Sequence, residues 1–390
     1  MSRLDASVLI KGYYIPDNIG DDVLMIVTSK IVAGCIPPDS VVVGVARPDI
    51  TSSWLPEIRH VRLSDYREVN VETCIYGGGG QFFSFPMTNQ PDRFTMARDQ
   101  LSRLLKRQIG LQQIRQRFSK PSGQTTTNIQ LNVQRYGAFC VGVGPFVPGS
   151  NEIELARMNL EKCEFLSVRD SMSKKICDKW GLSYARVRTD ATFFQELWLN
   201  SSRFRESRPR RDSVAFIFRA WPHSKEGFKY FKPMRKAAKR LRREGLNITF
   251  VSFAKMADSS ALDYFSDEDL LIWEPAKGTP ATFIRRLAES FDLVVSARAH
   301  GIILPAIAGL PGICIGIEPK LYNVHAMLPN GTQLWGPPFD QEVLVQQVLN
   351  MLENLSTYYN DLKSDVHANH VIALEARKDI EAFLHKESNS

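Results

Sequence analysis

The chain has 390 residues, 44% hydrophobic and 23% charged, with 49 Lys and Arg against 42 Asp and Glu for a formal net charge of +7. These proportions exclude a disordered, collagenous or disulfide-stapled chain, and the length exceeds what one hydrophobic core usually serves, so two domains are expected. No run approaches the ~20 apolar residues of a membrane-spanning helix, Met1–Asp5 carries no signal-peptide core, and a cytoplasmic protein is expected.

In chain order, the first predicted strand is Ser7–Lys11. The turn Gly12–Asp22 follows and leads into an amphipathic helix over Asp21–Ala33. Val41–Val45 and Thr73–Tyr76 are the next strands, and the second ends in four glycines, Gly77–Gly80. A helix is predicted over Gln100–Ile109, inside a strongly basic stretch, Arg98–Lys120. Arg115–Gln134 is polar and reads as a loop over the site. Strands Ala138–Val143 and Phe165–Val168 alternate with helices Glu152–Glu161 and Ser171–Trp180.

The polar stretch Asn200–Asp212 separates this half from a fresh series. Its strands are Ser213–Phe218, Ile248–Ser252, Leu270–Ile272, Leu293–Ser296 and Gly312–Ile317, and its helices are Lys232–Glu244, Thr282–Ser290 and Ile302–Ala308. The strands are continuous apolar runs rich in Val and Ile, which suits strands buried on both faces of a parallel sheet. The fold class expected is α/β, with two Rossmann-like doubly wound domains facing a cleft. Residues 1–200 form the N-terminal domain, 212–340 the C-terminal domain, and 341–390 C-terminal helices.

Ligands of such sheets bind beyond the carboxyl ends of the strands. The segment Ser296-Ala297-Arg298-Ala299-His300-Gly301 sits at such an end. There a helix start favours anions, Arg298 offers a planar permanent charge, and His300 can trade a proton near neutral pH. Lys320 follows the next strand, Arg219 ends the first strand of the second half, and Arg169 opens a helix after Phe165–Val168. Asn18, Asp21 and Asp22 stand at the first helix start, where a carboxylate can complement the dipole or take a proton from a hydroxyl. Asp190 lies at another junction, and Gly78 and Gly79 fit close approach of backbone to a ligand. The spacing G-x-G-x-x-G is absent and no Gly-Lys-Ser/Thr follows the glycines, so neither nucleotide fingerprint is met. The six cysteines form no CxxC pair, and no cluster with metal-ligand spacing is visible.

This ordered set resembles the polysaccharide pyruvyl transferase family. The matching elements are Tyr14–Asp22, Gly77–Gly80, Ser167–Asp170, Asp190–Phe193 and Ser296–Gly301, with Lys320 about twenty residues on. The chain departs from the family in Ala299, where a larger apolar residue is common, and in Ile317-Glu318-Pro319, where a Tyr is common. The resemblance implies a GT-B-like fold and an enzyme that moves pyruvate from phosphoenolpyruvate to a sugar as a ketal. It implies phosphoenolpyruvate as co-substrate with no other cofactor and no metal. Arg298, Arg219 and Lys320 would supply countercharge and His300 the acid.

The acceptor expected is a sugar or a lipid-linked oligosaccharide. Arg98–Lys120 is the expected contact with an anionic membrane, at the inner face of the plasma membrane. A nucleotide-sugar glycosyltransferase is the alternative reading, and a non-enzymatic membrane-anchoring module is a second. Nucleic acid is not expected as a partner, because no recognition motif is present.

Overall fold

The computed structural model describes residues 2–85, 129–199 and 210–386. The predicted helix Gln100–Ile109, the basic stretch Arg98–Lys120 and most of the Asn200–Asp212 break lie outside the described residues.

Two parallel sheets organise the chain. The first holds β1 (Arg3–Lys11), β2 (Val41–Gly44), β3 (Arg59–Val61), β4 (Glu68–Tyr76), β5 (Gly79–Phe82), β6 (Gln130–Val143), β7 (Cys163–Val168) and β8 (Arg186–Val187). Their order is β3-β2-β1-β4-β6-β7-β8, with β5 pairing β6 beyond the end of β4. The second holds β9 (Ser213–Ile217), β10 (Asn247–Ser252), β11 (Leu270–Ile272), β12 (Leu293–Ser296), β13 (Gly312–Ile315) and β14 (Thr332–Trp335), in the order β11-β10-β9-β12-β13-β14. Both orders reverse direction beside their first strand, which opens a crevice between β1 and β4 and another between β9 and β12.

Three strands begin earlier than their apolar runs predict. In β4 the leading residues Glu68–Glu72 alternate between buried Val and more exposed polar side chains. A strand with one wet face has this pattern, and a search for continuous apolar runs passes over it. The same holds for Arg3–Asp5 of β1 and for Gln130–Gln134 of β6, so the tail of the predicted loop Arg115–Gln134 is in fact strand. The short strands β3, β5 and β14 also escaped the sequence reading.

The first helix, α1 (Ile19–Ala33), is buried along most of its length. It packs on both bodies, and one apolar cluster runs from Val8 and Ile10 of β1 through α1 to Val294 of the second sheet and Ile302 of the helix that follows β12. Polar bonds reinforce this junction. The Ile19 amide donates to the Phe253 carbonyl at 3.1 Å, the Met256 amide to the Asp17 carboxylate at 2.7 Å, and the Trp273 indole to Asp22 at 2.9 Å. The last long helix, Leu355–His385, crosses back and stacks Phe383 on Phe165 of the first sheet. No described helix is long and apolar enough to cross a membrane.

Candidate active site

A cavity of about 150 Å³ lies where the carboxyl ends of the two sheets meet. The turn after β1 contributes Tyr13 and Asn18, the first turn of α1 contributes Asp21, and β5 contributes Gly80. Arg169 follows β7, Arg219 follows β9, Arg298 and His300 follow β12, and Glu318 and Lys320 follow β13. Of the residues singled out from sequence, Asn18, Asp21, Arg169, Arg219, Arg298, His300 and Lys320 line this one cavity.

His300 is the first residue of the helix His300–Ile307. Its Nε2 lies 3.3 Å from Asp190 Oδ2. The other oxygen of Asp190 accepts from the backbone and hydroxyl of Thr192, at 3.1 and 2.7 Å. Burial works to raise the Asp190 carboxyl, but the charge and hydrogen bond of His300, together with Arg169 and Thr192, outweigh it and hold Asp190 below the usual carboxylate range. A buried anion fixed in this way orients the imidazole. It also occupies Nε2, while Nδ1 faces Gly20 at the start of α1. Arg169 braces the pair, with Nη1 3.7 Å from Asp190 and Nε 3.4 Å from Asp170.

The arginines are less free than the sequence implied. Asp258, fully buried, takes Nε of Arg298 at 3.3 Å and Nη2 at 2.5 Å. Asp258 also accepts from the Ser252 hydroxyl and the Ala220 amide, so the pair is satisfied on several sides, as a buried ion pair requires. Arg219 donates to Glu318 and lies over Trp221, its guanidinium 3.8 Å from the ring centre. Lys320 differs from both. It has no carboxylate within 4 Å among the described residues, and its Nζ lies 5.4 Å from the centre of the Phe83 ring. Burial pushes its ammonium down to about 8; Arg169 and Arg219 add to that, while Glu318 and Asp21 oppose it.

Asn18 donates to Asp21 at 2.6 Å. Burial raises the Asp21 carboxyl, against the nearby charges of His300, Lys320 and Arg169. Two sequence assignments are corrected by their surroundings. Asp22 turns away from the cavity to the Trp273 indole, buried among apolar neighbours, and burial holds its carboxyl well above the usual range. Gly78 and Gly79 face helix α1: a Cβ on either would stand 2.8 or 2.9 Å from the Leu24 side chain, and Gly79 has φ +104°. Their smallness serves packing. The glycine that meets the cavity is Gly80.

Three glycines make room for the charged groups. A Cβ at Gly20 would overlap the His300 ring, one at Gly142 would stand 2.8 Å from Arg169 Nε, and one at Gly80 would stand 3.1 Å from Lys320 Nζ. Sequence reading missed Gly20 and Gly142, as well as Asp258 and Glu318. A trace was available for two of them. Glu318 stands within a departure from the family pattern, and Asp258 precedes a Ser-Ser pair and reads as an ordinary helix cap.

Solved structures share this architecture. An Anabaena HepE structure in complex with UDP has a TM-score of 0.55 at 9% identity, covering 98% of this chain and 100% of that one. A Staphylococcus aureus MnaA–UDP structure has a TM-score of 0.53 at 11% identity, covering 100% and 99%. At these identities the likeness is one of fold, and the fold is GT-B: two parallel-sheet α/β domains. No curated protein shows a significant match. The model of one family, polysaccharide pyruvyl transferase, matches residues 18–319. That span begins at Asn18 and ends beside Lys320, and so takes in nearly every residue the cavity brings together. The chain belongs to the polysaccharide pyruvyl transferase family.

Proposed function

We propose that the protein transfers a pyruvyl group from phosphoenolpyruvate to two hydroxyls of a sugar in a polysaccharide or its precursor, releasing phosphate. One observation carries the reading: Lys320, Arg298, Arg219 and His300, from three different strand ends of the second sheet, converge on one small cavity opposite Asp21 of the first. The second sheet is then the donor side and the first the acceptor side. Pockets that hold drug-sized ligands measure roughly 300–1,000 Å³, so a cavity of about 150 Å³ favours the small donor over a nucleotide sugar.

In this mechanism Lys320, the cation without a carboxylate partner, takes the donor's phosphate. Arg298, with Nε and Nη2 held by Asp258, and Arg219 orient the carboxylate. His300 gives its proton to the methylene carbon, which becomes the methyl group and leaves positive charge at C2. The first sugar hydroxyl forms a bond to C2, and Asp21, buried and inclined to hold a proton, accepts the one released. The C2–O bond to phosphate breaks, eased by the fixed cations around the leaving group, and the phosphate takes the proton held by Asp21. The second hydroxyl closes the ketal, and its proton restores His300. Two hydroxyl protons are thus balanced by one new C–H bond and one proton carried off with phosphate.

The test is phosphate release from phosphoenolpyruvate over a panel of sugar acceptors, with UDP-sugars as a parallel arm. Thermal protection by UDP-sugars together with no phosphate release would replace this reading with glycosyl transfer.

A further inference from the structure

The floor of the cavity is charged, but its rim is aromatic. Tyr13, on the turn after β1, is 58% exposed and lines the cavity mouth. Phe83 and Phe85, just past β5, line the same cavity and are half-buried. Phe85 is engaged in the contact between the two bodies, edge-on to Trp221 at 4.7 Å and stacked on His223 at 4.8 Å. Phe83 leans on Phe85 at 4.7 Å and carries Lys320 above its ring. Tyr13 stacks on no aromatic ring among the described residues, while its neighbour Tyr14 is buried.

An aromatic ring held in water at the mouth of a polar cavity fits a ligand with an apolar face and a polar edge. A pyranose has that form: axial C–H bonds on one face and hydroxyls around the rim. We propose that Tyr13 and Phe83 form a pyranose subsite. They hold the face of the acceptor ring at the cavity mouth and turn its hydroxyl edge inward to Asp21 and His300. Phe85 keeps Phe83 in place. The subsite takes its purpose from the pyruvyl-transfer reading, but its existence is tested by binding alone.

The experiment uses the full chain and saturation-transfer NMR with methyl pyranosides of glucose, galactose, mannose and N-acetylglucosamine. The expected result is saturation on the C–H face of at least one of them. The affinity for that glycoside should fall ~3- to 10-fold in Tyr13→Ala and in Phe83→Ala, as loss of one aromatic contact predicts. Tyr13→Phe keeps the ring and should hold affinity within about twofold. Thermal protection by phosphoenolpyruvate should survive in Tyr13→Ala, which also shows that the variant folds. Absence of saturation on every pyranoside, or alanine variants that bind as tightly as the parent, overturns the subsite. The two readings fail separately: ring-dependent sugar binding without phosphate release sinks pyruvyl transfer and keeps the subsite, while phosphate release with ring-independent binding does the reverse.

Discussion

Gly20→Ala is the most discriminating substitution. The added methyl would lie 2.8 Å from His300 Cβ and overlap the ring at Nδ1. Carbon atoms rest at ≈ 3.5–4.0 Å and the ring carbon Cγ would lie only 2.4 Å away, so the ring must retreat by roughly 1 Å or more. Its Nε2 is already 3.3 Å from Asp190, at the long end of a hydrogen bond, so that orienting contact is lost. Misplacement of a catalytic group by ~1 Å costs about 100-fold in rate. Local crowding costs ~1–3 kcal/mol, offset by the ~0.5–1 kcal/mol that alanine gains over glycine within a helix. Gly20→Ala should therefore keep its fold with a small fall in Tm, keep its affinity for phosphoenolpyruvate, and lose about two orders of magnitude in kcat for phosphate release. Adding Gly20→Ala to His300→Ala should cost little more, because both act on one group. A Gly20→Ala enzyme with parental kcat, or a double variant whose losses multiply, would refute this account of His300.

In the proposed mechanism Lys320, its ammonium pushed down to about 8 by burial, would bind the donor only while charged. Because kcat/KM reports the free enzyme, it should be at its plateau below about pH 8 and fall as pH rises through that value, and Lys320→Ala should abolish the limb. Asp258→Asn strips Arg298 of its buried counter-charge. It should lower stability by ~3–5 kcal/mol and weaken phosphoenolpyruvate binding about as much as Arg298→Ala, read by calorimetry. Asp22→Asn keeps an acceptor for Trp273 and removes a carboxyl whose pKa is raised in the folded state. The parent should lose stability as pH climbs from about 4, the unfolded value, toward that raised pKa. Asp22→Asn should show no such loss in a Tm–pH profile, and its kcat should stay within about twofold.

Much of this site was legible because its parts are local. Ser296–Gly301 is a strand end running into a helix start within six residues, and Asn18 and Asp21 repeat the pattern near the other end of the chain. Strand–helix alternation likewise announces a doubly wound sheet before any pairing is known. The pairings that neutralise the charges were not legible, even though Asp190 itself stood out in the sequence. Asp258 is 40 residues from Arg298, Glu318 is 99 from Arg219, and Asp190 is 110 from His300. No periodicity links such positions, because folding alone sets them side by side. The glycines misled for a related reason: a run of four suggested ligand contact, yet Gly78 and Gly79 yield to Leu24, while isolated Gly20 and Gly142 admit the functional side chains.

The helix Leu355–His385 leaves the second body and is bonded into the first, where Asp379 pairs with Arg186 and Arg188. The chain therefore passes between the two bodies twice. A single nick in the first crossing would not separate them, since the return helix still ties residue 186 to residue 379. Pressed together through α1, they also have little freedom to swing apart as hinged lobes. Separating the bodies would have to break both ties at once, the apolar cluster around α1 and the pairs that Asp379 makes with Arg186 and Arg188.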